Sequence, residues 1–166
     1  GRYTAMMLAS RPAILNESPL VTGKPQAAEE VYEKAPGRGS DIYNKGSWVL
    51  HTLRNAVGDA AFGEILRREV YGRPDPAPGN FTPQFRTTPE FIAIVNQVTG
   101  QDWQWFFDTY LYQAALPKLV VNRNATQLTL KWVAPTGKPF PLPVEVAVDD
   151  VVRKVPMTGG LATITV

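Results

Sequence analysis

Cysteine is absent from the 166 residues, and histidine occurs once, as His51. Without thiols there is neither a disulfide framework nor a thiolate metal site, and a single imidazole cannot supply the paired histidines of a zinc-hydrolase motif. No apolar run approaches the roughly 18 residues that a bilayer-spanning helix needs, and the start of the chain lacks the layout of a signal peptide. Charge of one sign is also missing: 17 basic against 15 acidic residues leave +2, and the basic ones are scattered. No stripe is therefore suited to nucleic acid or to a membrane surface. With neither Gly-x-Ser-x-Gly nor a phosphate-binding glycine loop, little is left for nucleophilic or nucleotide chemistry. None of these absences names a compartment.

What is present suits a packed core, since 44% of the residues are hydrophobic. The length allows one domain, or a helical lobe followed by a small second unit. The opening Gly1-Arg2-Tyr3-Thr4-Ala5-Met6-Met7-Leu8 reads as a helix already under way, as in a fragment of a longer protein. From Ser10 to Gly39, proline, glycine and small polar residues predict a long ordered loop of the kind that serves a site. Ser40 is then a candidate N-cap, and Ile42, Gly46, Val49, Leu50, Leu53 and Val57 recur at helical spacing over Asp41 to Val57. Gly58 is expected to end that helix in a left-handed conformation. Asp59 is expected to cap the next helix, with Phe62, Ile65, Leu66 and Val70 as its buried stripe up to Gly72. A third helix starts either at a Thr87/Glu90 capping box or at Thr88 with Pro89 in its first turn, and runs to Gly100. A fourth covers Asp102 to Tyr112. Beyond Pro117 the period changes to two: Leu128, Leu130 and Trp132 alternate with polar residues, as do Val144, Val146 and Val148. Asp149-Asp150 is a hairpin turn, and Thr158-Gly159-Gly160 leads into a last strand from Leu161. The fold class expected is α+β, a helical lobe over 1–117 and a small antiparallel β-sandwich, complete or incomplete, over 118–166.

One stretch carries chemistry: Ile42-Tyr43-Asn44-Lys45-Gly46-Ser47-Trp48-Val49-Leu50-His51-Thr52-Leu53-Arg54, followed by Gly58-Asp59-Ala60-Ala61-Phe62. With Thr88-Pro89-Glu90-Phe91, Gly100-Gln101-Asp102-Trp103, Trp105-Phe106-Phe107-Asp108, Tyr112-Gln113-Ala114-Ala115-Leu116-Pro117 and Pro139-Phe140-Pro141-Leu142-Pro143-Val144, it forms an ordered series. The series resembles the zinc metallopeptidase family of aminopeptidase N and leukotriene hydrolase, the gluzincins of family M-one, over most of the chain from Asp41 onward. The resemblance implies the C-terminal lobe of a thermolysin-like catalytic domain and its following β-sandwich. It also implies that Tyr43 matches the tyrosine that hydrogen-bonds the scissile carbonyl of a peptide substrate and steadies the oxyanion. A phenol fits that role, because an ordinary pKa of about 10 keeps it a donor near neutrality.

The family's zinc site needs His-Glu-x-x-His and a further glutamate, and none of that is in this chain. Zinc is accordingly expected in the intact parent, held by an upstream region of the same protein, with the fragment alone inactive and with a periplasmic or secreted parent in keeping with the family. His51 is read as a packed or surface histidine instead of a ligand. Lys45 is expected to be solvated or paired locally, and Gly46 to permit close helix packing. Acidic residues are read as caps and surface charges. The aromatic run Trp103 to Tyr112 is expected to fill a core or a domain junction. The competing readings are a non-catalytic peptide-binding or scaffold protein of peptidase-like architecture, and a helical module joined to an Ig-like adhesion domain. A His-Glu-x-x-His motif in the parent reading frame separates the first of these from an enzyme.

Overall fold

A computed structural model describes residues 1–21, 23 and 41–165. The fold is α+β, as the change of period predicts. Helix α1 (Arg2–Ser10) runs into a 3-10 turn (Arg11–Ala13), followed by α2 (Asp41–Val57), α3 (Asp59–Tyr71), α4 (Thr88–Thr99) and α5 (Gln104–Tyr110). Five strands follow: β1 (Lys118–Arg123), β2 (Gln127–Val133), β3 (Val144–Val148), β4 (Val151–Val155) and β5 (Leu161–Thr165). Most of the expected loop, and the proposed cap Ser40, lie outside the described residues. Among the described residues no helix is long and apolar enough to cross a membrane.

The helix boundaries follow local chemistry. Thr87 and Glu90 close the reciprocal capping box that opens α4, with Pro89 in the first turn. Gly72 and Gly100 end α3 and α4 in the left-handed region, at φ 70° and φ 67°, returning their N–H groups to Arg68 and Asn96. Gly58 departs from expectation. Its φ of 88° is positive, but its ψ of 160° is extended, so it is a sharp joint between α2 and α3 and not a left-handed cap. Asp59 does not cap either: its carboxylate takes the guanidinium of Arg54 at 2.7 Å, within the first turn where a negative charge suits the helix dipole. The last helix is shorter than expected, because Asp102 accepts from the N–H of Gln104 before the helix begins.

The strands form two antiparallel sheets, one in the order β1-β2-β5 and the other the β3-β4 hairpin. Leu130, Val155 and Met157 are buried between them, with Leu128, Val144, Val146 and Ile164 packed alongside, so the two sheets share one small core. Strand β1 has no counterpart in the sequence reading. Its exposure alternates at only one position, Leu119, which left no period to detect.

A larger core crosses from helices to strands. Val49, Leu53, Ile65, Val95, Phe106 and Phe107 from the helices join Ala134, Phe140 and Leu142. Phe140 is the hinge of that contact, with ring centroids 5.1 Å from Trp105, 5.6 Å from Tyr110 and 5.5 Å from Trp132, each near edge-to-face. The aromatic run is thus a junction, as its spacing suggested. Trp132 adds a polar tie by donating from Nε1 to the carbonyl of Leu142 at 2.8 Å.

Two predictions follow from this packing. Asp149 and Asp150 both take positive φ, at 50° and 61°, in the two-residue turn that brings Val148 opposite Val151. Glycine adopts that conformation without the cost of about 1 kcal/mol borne by other residues, so Asp150→Gly should raise the denaturation midpoint by a corresponding amount. Burial also pushes the Tyr110 phenol up to about 12 from an ordinary 10.0. Between those values the folded chain keeps a proton that the unfolded chain has lost, so stability should fall with rising pH by up to about 1.4 kcal/mol per unit. In Tyr110→Phe that part of the slope should vanish, as read by urea unfolding at a series of alkaline pH values.

Candidate functional site

The site is set by which side of α2 is buried. Its inward residues are Asp41, Val49, Leu53 and, at 1% exposure, Lys45. They recur every four positions, the row that lies along one helix face. Two of the four are charged, and each charge is satisfied by backbone. The Asp41 carboxylate accepts from the N–H of Leu15 at 2.7 Å and of Asn16 at 2.8 Å. The Lys45 ammonium donates to the carbonyls of Gln113 at 3.1 Å and Ala114 at 2.7 Å. Burial pulls the Lys45 pKa down, and the Asp41 charge opposes that pull. Lys45 is therefore not the solvated side chain expected from the sequence. It is an internal clasp that fastens α2 to the segment after α5.

Turning these charges inward turns Ile42, Tyr43 and Leu50 outward, at 43%, 54% and 39% exposure. They line a cleft of about 650 Å³ together with Gly46, a volume suited to one or two side chains of a ligand. Gly46 does not serve helix packing as expected, since a Cβ built on it would meet nothing within 4 Å. Its part in the cleft is to leave room beside Tyr43. The Ser47 hydroxyl donates to the Tyr43 carbonyl, a local bond within the first turns of the helix.

The far walls come from other elements. Phe107 and Leu111 form the floor, and Leu20 and Val21 close one side. The N–H of Val21 donates to the carbonyl of Leu111 at 3.1 Å, which holds that edge. Arg86, Thr87, Thr88 and Phe91, at and just before the start of α4, also line the cleft. Glu69 completes the lining from α3, and its Oε2 is buried without a hydrogen-bond partner. Burial raises the Glu69 pKa, the charge of Arg86 lowers it, and the charge of Glu90 raises it further. Glu90 itself is held below its ordinary value by hydrogen bonds from the Thr87 N–H and hydroxyl.

His51 does not share this cleft. It lines two other depressions, one toward α1 and one toward the β unit. Its Nδ1 lies 3.2 Å from the Tyr3 hydroxyl, and its ring meets Tyr3 and Trp48 edge-on. Eight residues along a helix advance about 80° beyond two turns, enough to carry it around from the Tyr43 side. As for zinc, no group of three or more His, Cys, Asp or Glu among the described residues is arranged to hold a metal ion.

Two residues of the site escaped sequence reasoning. Leu66 and Val70, expected in the buried stripe of α3, are 40% and 50% exposed, while Glu69 faces the cleft. The usable signal was its place four residues after Ile65, which is fully buried. Asp41 likewise sits in register with Lys45, Val49 and Leu53, a spacing that marks it as inward despite its charge. No protein-family model matches the chain, and no curated protein matches it.

The clasp yields a prediction. Lys45→Met keeps most of the stem but leaves the carbonyls of Gln113 and Ala114 without a donor, which costs about 1 to 3 kcal/mol. The urea midpoint should fall accordingly, and hydrogen exchange should quicken in Tyr112 to Leu116 before it does so in α4.

Proposed function

We propose that this chain is the C-terminal part of a zinc-dependent aminopeptidase-like metallopeptidase that hydrolyses N-terminal peptide bonds, and that Tyr43 stabilises the oxyanion of the reaction. The metal site belongs, in this reading, to an upstream region of the same protein, which supplies the Lewis acid when loaded. By itself the chain is inactive.

One observation carries the proposal: Tyr43, 54% exposed, stands at the wall of an open, mainly apolar cleft and not inside the helical core. A peptide carbonyl brought against that wall meets a phenol able to donate to its oxygen. As the carbonyl carbon becomes tetrahedral, the oxygen gains charge, and a donor fixed beforehand stabilises that charge more than it stabilised the neutral group. The apolar surroundings strengthen the bond by lowering the local dielectric. The rigidity of the donor comes from its helix, whose first turn is tied down by Asp41 and Lys45 on the opposite face. The cleft leaves space for the residue on one side of the scissile bond, with Phe107 and Leu111 beneath it.

The test is Tyr43→Phe in the intact parent protein, assayed by hydrolysis of aminoacyl arylamides. Removing one oxyanion donor should lower kcat by about 10² to 10³, with KM little changed and the zinc content unaltered. A kcat within a few fold of wild type, with zinc still bound, rules out Tyr43 as the donor.

A further inference from the structure

The wall of the cleft has a gap where a side chain could stand. Ile42, Gly46 and Leu50 are spaced four residues apart on α2, so they form one row along the helix. Ile42 and Leu50 are 43% and 39% exposed, and all three line the cleft with Tyr43 beside them. Gly46 is the gap in that row, and neither of the usual reasons for glycine applies to it. Its φ is not among the positive ones, so the helical backbone at this position accepts any L residue. A Cβ built on it meets nothing within 4 Å among the described residues, so no neighbour requires a close approach. Glycine inside a helix nevertheless lowers the folding equilibrium constant about two- to fivefold relative to alanine. What the missing side chain leaves is space, and that space belongs to the cleft.

We infer that Gly46 is a specificity-determining residue, which by lacking a side chain keeps the cleft beside Tyr43 deep enough for a large apolar side chain of the peptide, one of phenylalanine size. The inference deepens the peptidase reading and rests on it, because the ligand is taken to be a peptide whose scissile carbonyl lies at Tyr43. The rest of the lining suits such a side chain. Leu20, Val21, Phe91 and Leu111, each half-buried, add apolar walls to the hollow of about 650 Å³. The Phe91 ring already meets Phe107 edge-on, with centroids 5.7 Å apart, an arrangement that a further ring can extend. Glu69 and Arg86 are of opposite sign, so the lining carries no net charge to draw a charged side chain. Any side chain at position 46 would project between Ile42 and Leu50 into this volume. It would make the cleft shallower without entering the core, which α2 meets with its other face through Lys45, Val49 and Leu53.

The experiment measures kcat/KM of the intact parent protein on two peptide series, X-Ala-Ala and Ala-X-Ala, with alanine, leucine or phenylalanine as X. The side chain on either side of the scissile bond is thereby varied in turn. At one of the two positions the wild type should favour phenylalanine over alanine by at least about tenfold, the effect of burying the larger apolar group. Gly46→Leu should bring that ratio close to one, Gly46→Ala should lower it less, and both should leave the ratio at the other position unchanged. Urea unfolding of the 166-residue chain should show Gly46→Ala raising the folding equilibrium constant about two- to fivefold, so that the lost preference is not a lost fold. The inference is overturned by a phenylalanine preference that Gly46→Leu leaves intact, by no such preference at either position, by equal losses at both, or by a Gly46→Ala chain less stable than wild type. Failure of the underlying reading gives a different result: the wild type hydrolyses none of the peptides, and the inference goes with it. Tyr43→Phe acts on kcat for every peptide alike, whereas Gly46→Leu acts on the ratio between peptides, so either role can fail while the other stands.

Discussion

The interaction on which the rest of the helical unit depends is the buried ammonium of Lys45 on the carbonyls of Gln113 and Ala114. An ammonium loses much of its hydration when buried, so it is tolerated only where acceptors are already in place. That requirement fixes the rotation of α2 about its axis more firmly than apolar packing alone would, because a slip of one residue would strand the charge. Asp41 makes the same demand one turn earlier, through the N–H groups of Leu15 and Asn16. Between them the two charges decide that Tyr43 and Gly46 face the cleft. They also join three segments remote in sequence around one end of a single helix.

A second constraint links the helices to the strands. Phe140 leaves the β portion and enters the main core, where rings from α5 and Trp132 surround it edge-on. The predicted boundary near Lys118 is therefore a change of secondary structure, while the apolar core runs across it. The wall of the cleft formed by Phe107 belongs to that same core, so the β unit supports the site without lining it.

Much of the architecture was legible because it is written in local rules. The period of Ile42 to Val57 gave α2, the Thr87/Glu90 box gave the start of α4, and the change from a helical to a two-residue period gave β2 and β3. Most of the misreadings share one cause, the assumption that charged residues face water and apolar ones face the core. Lys45, Asp41 and Glu69 point inward where backbone groups or a cleft receive them, and Leu66, Val70 and Ile42 point outward. Asp59 and Gly46 failed differently: each residue type has a common role, capping or close packing, and here a neighbouring guanidinium and an open cleft set another. Tyr43 was singled out through its flanking motif alone, since nothing in its own spacing separates a catalytic phenol from a packing one.

The floor of the cleft is drawn from the fully buried side chain of Phe107, whereas its rim is drawn from half-exposed residues such as Ile42 and Leu50. In the peptidase reading proposed above, selection acting on ligand preference would therefore meet two very different substrates for change. Alterations beneath the ligand disturb the scaffold and are filtered by foldability, while alterations around the mouth are nearly free to drift. Homologous proteins should accordingly diverge in what they accept at the entrance long before they diverge in the depth of the hollow.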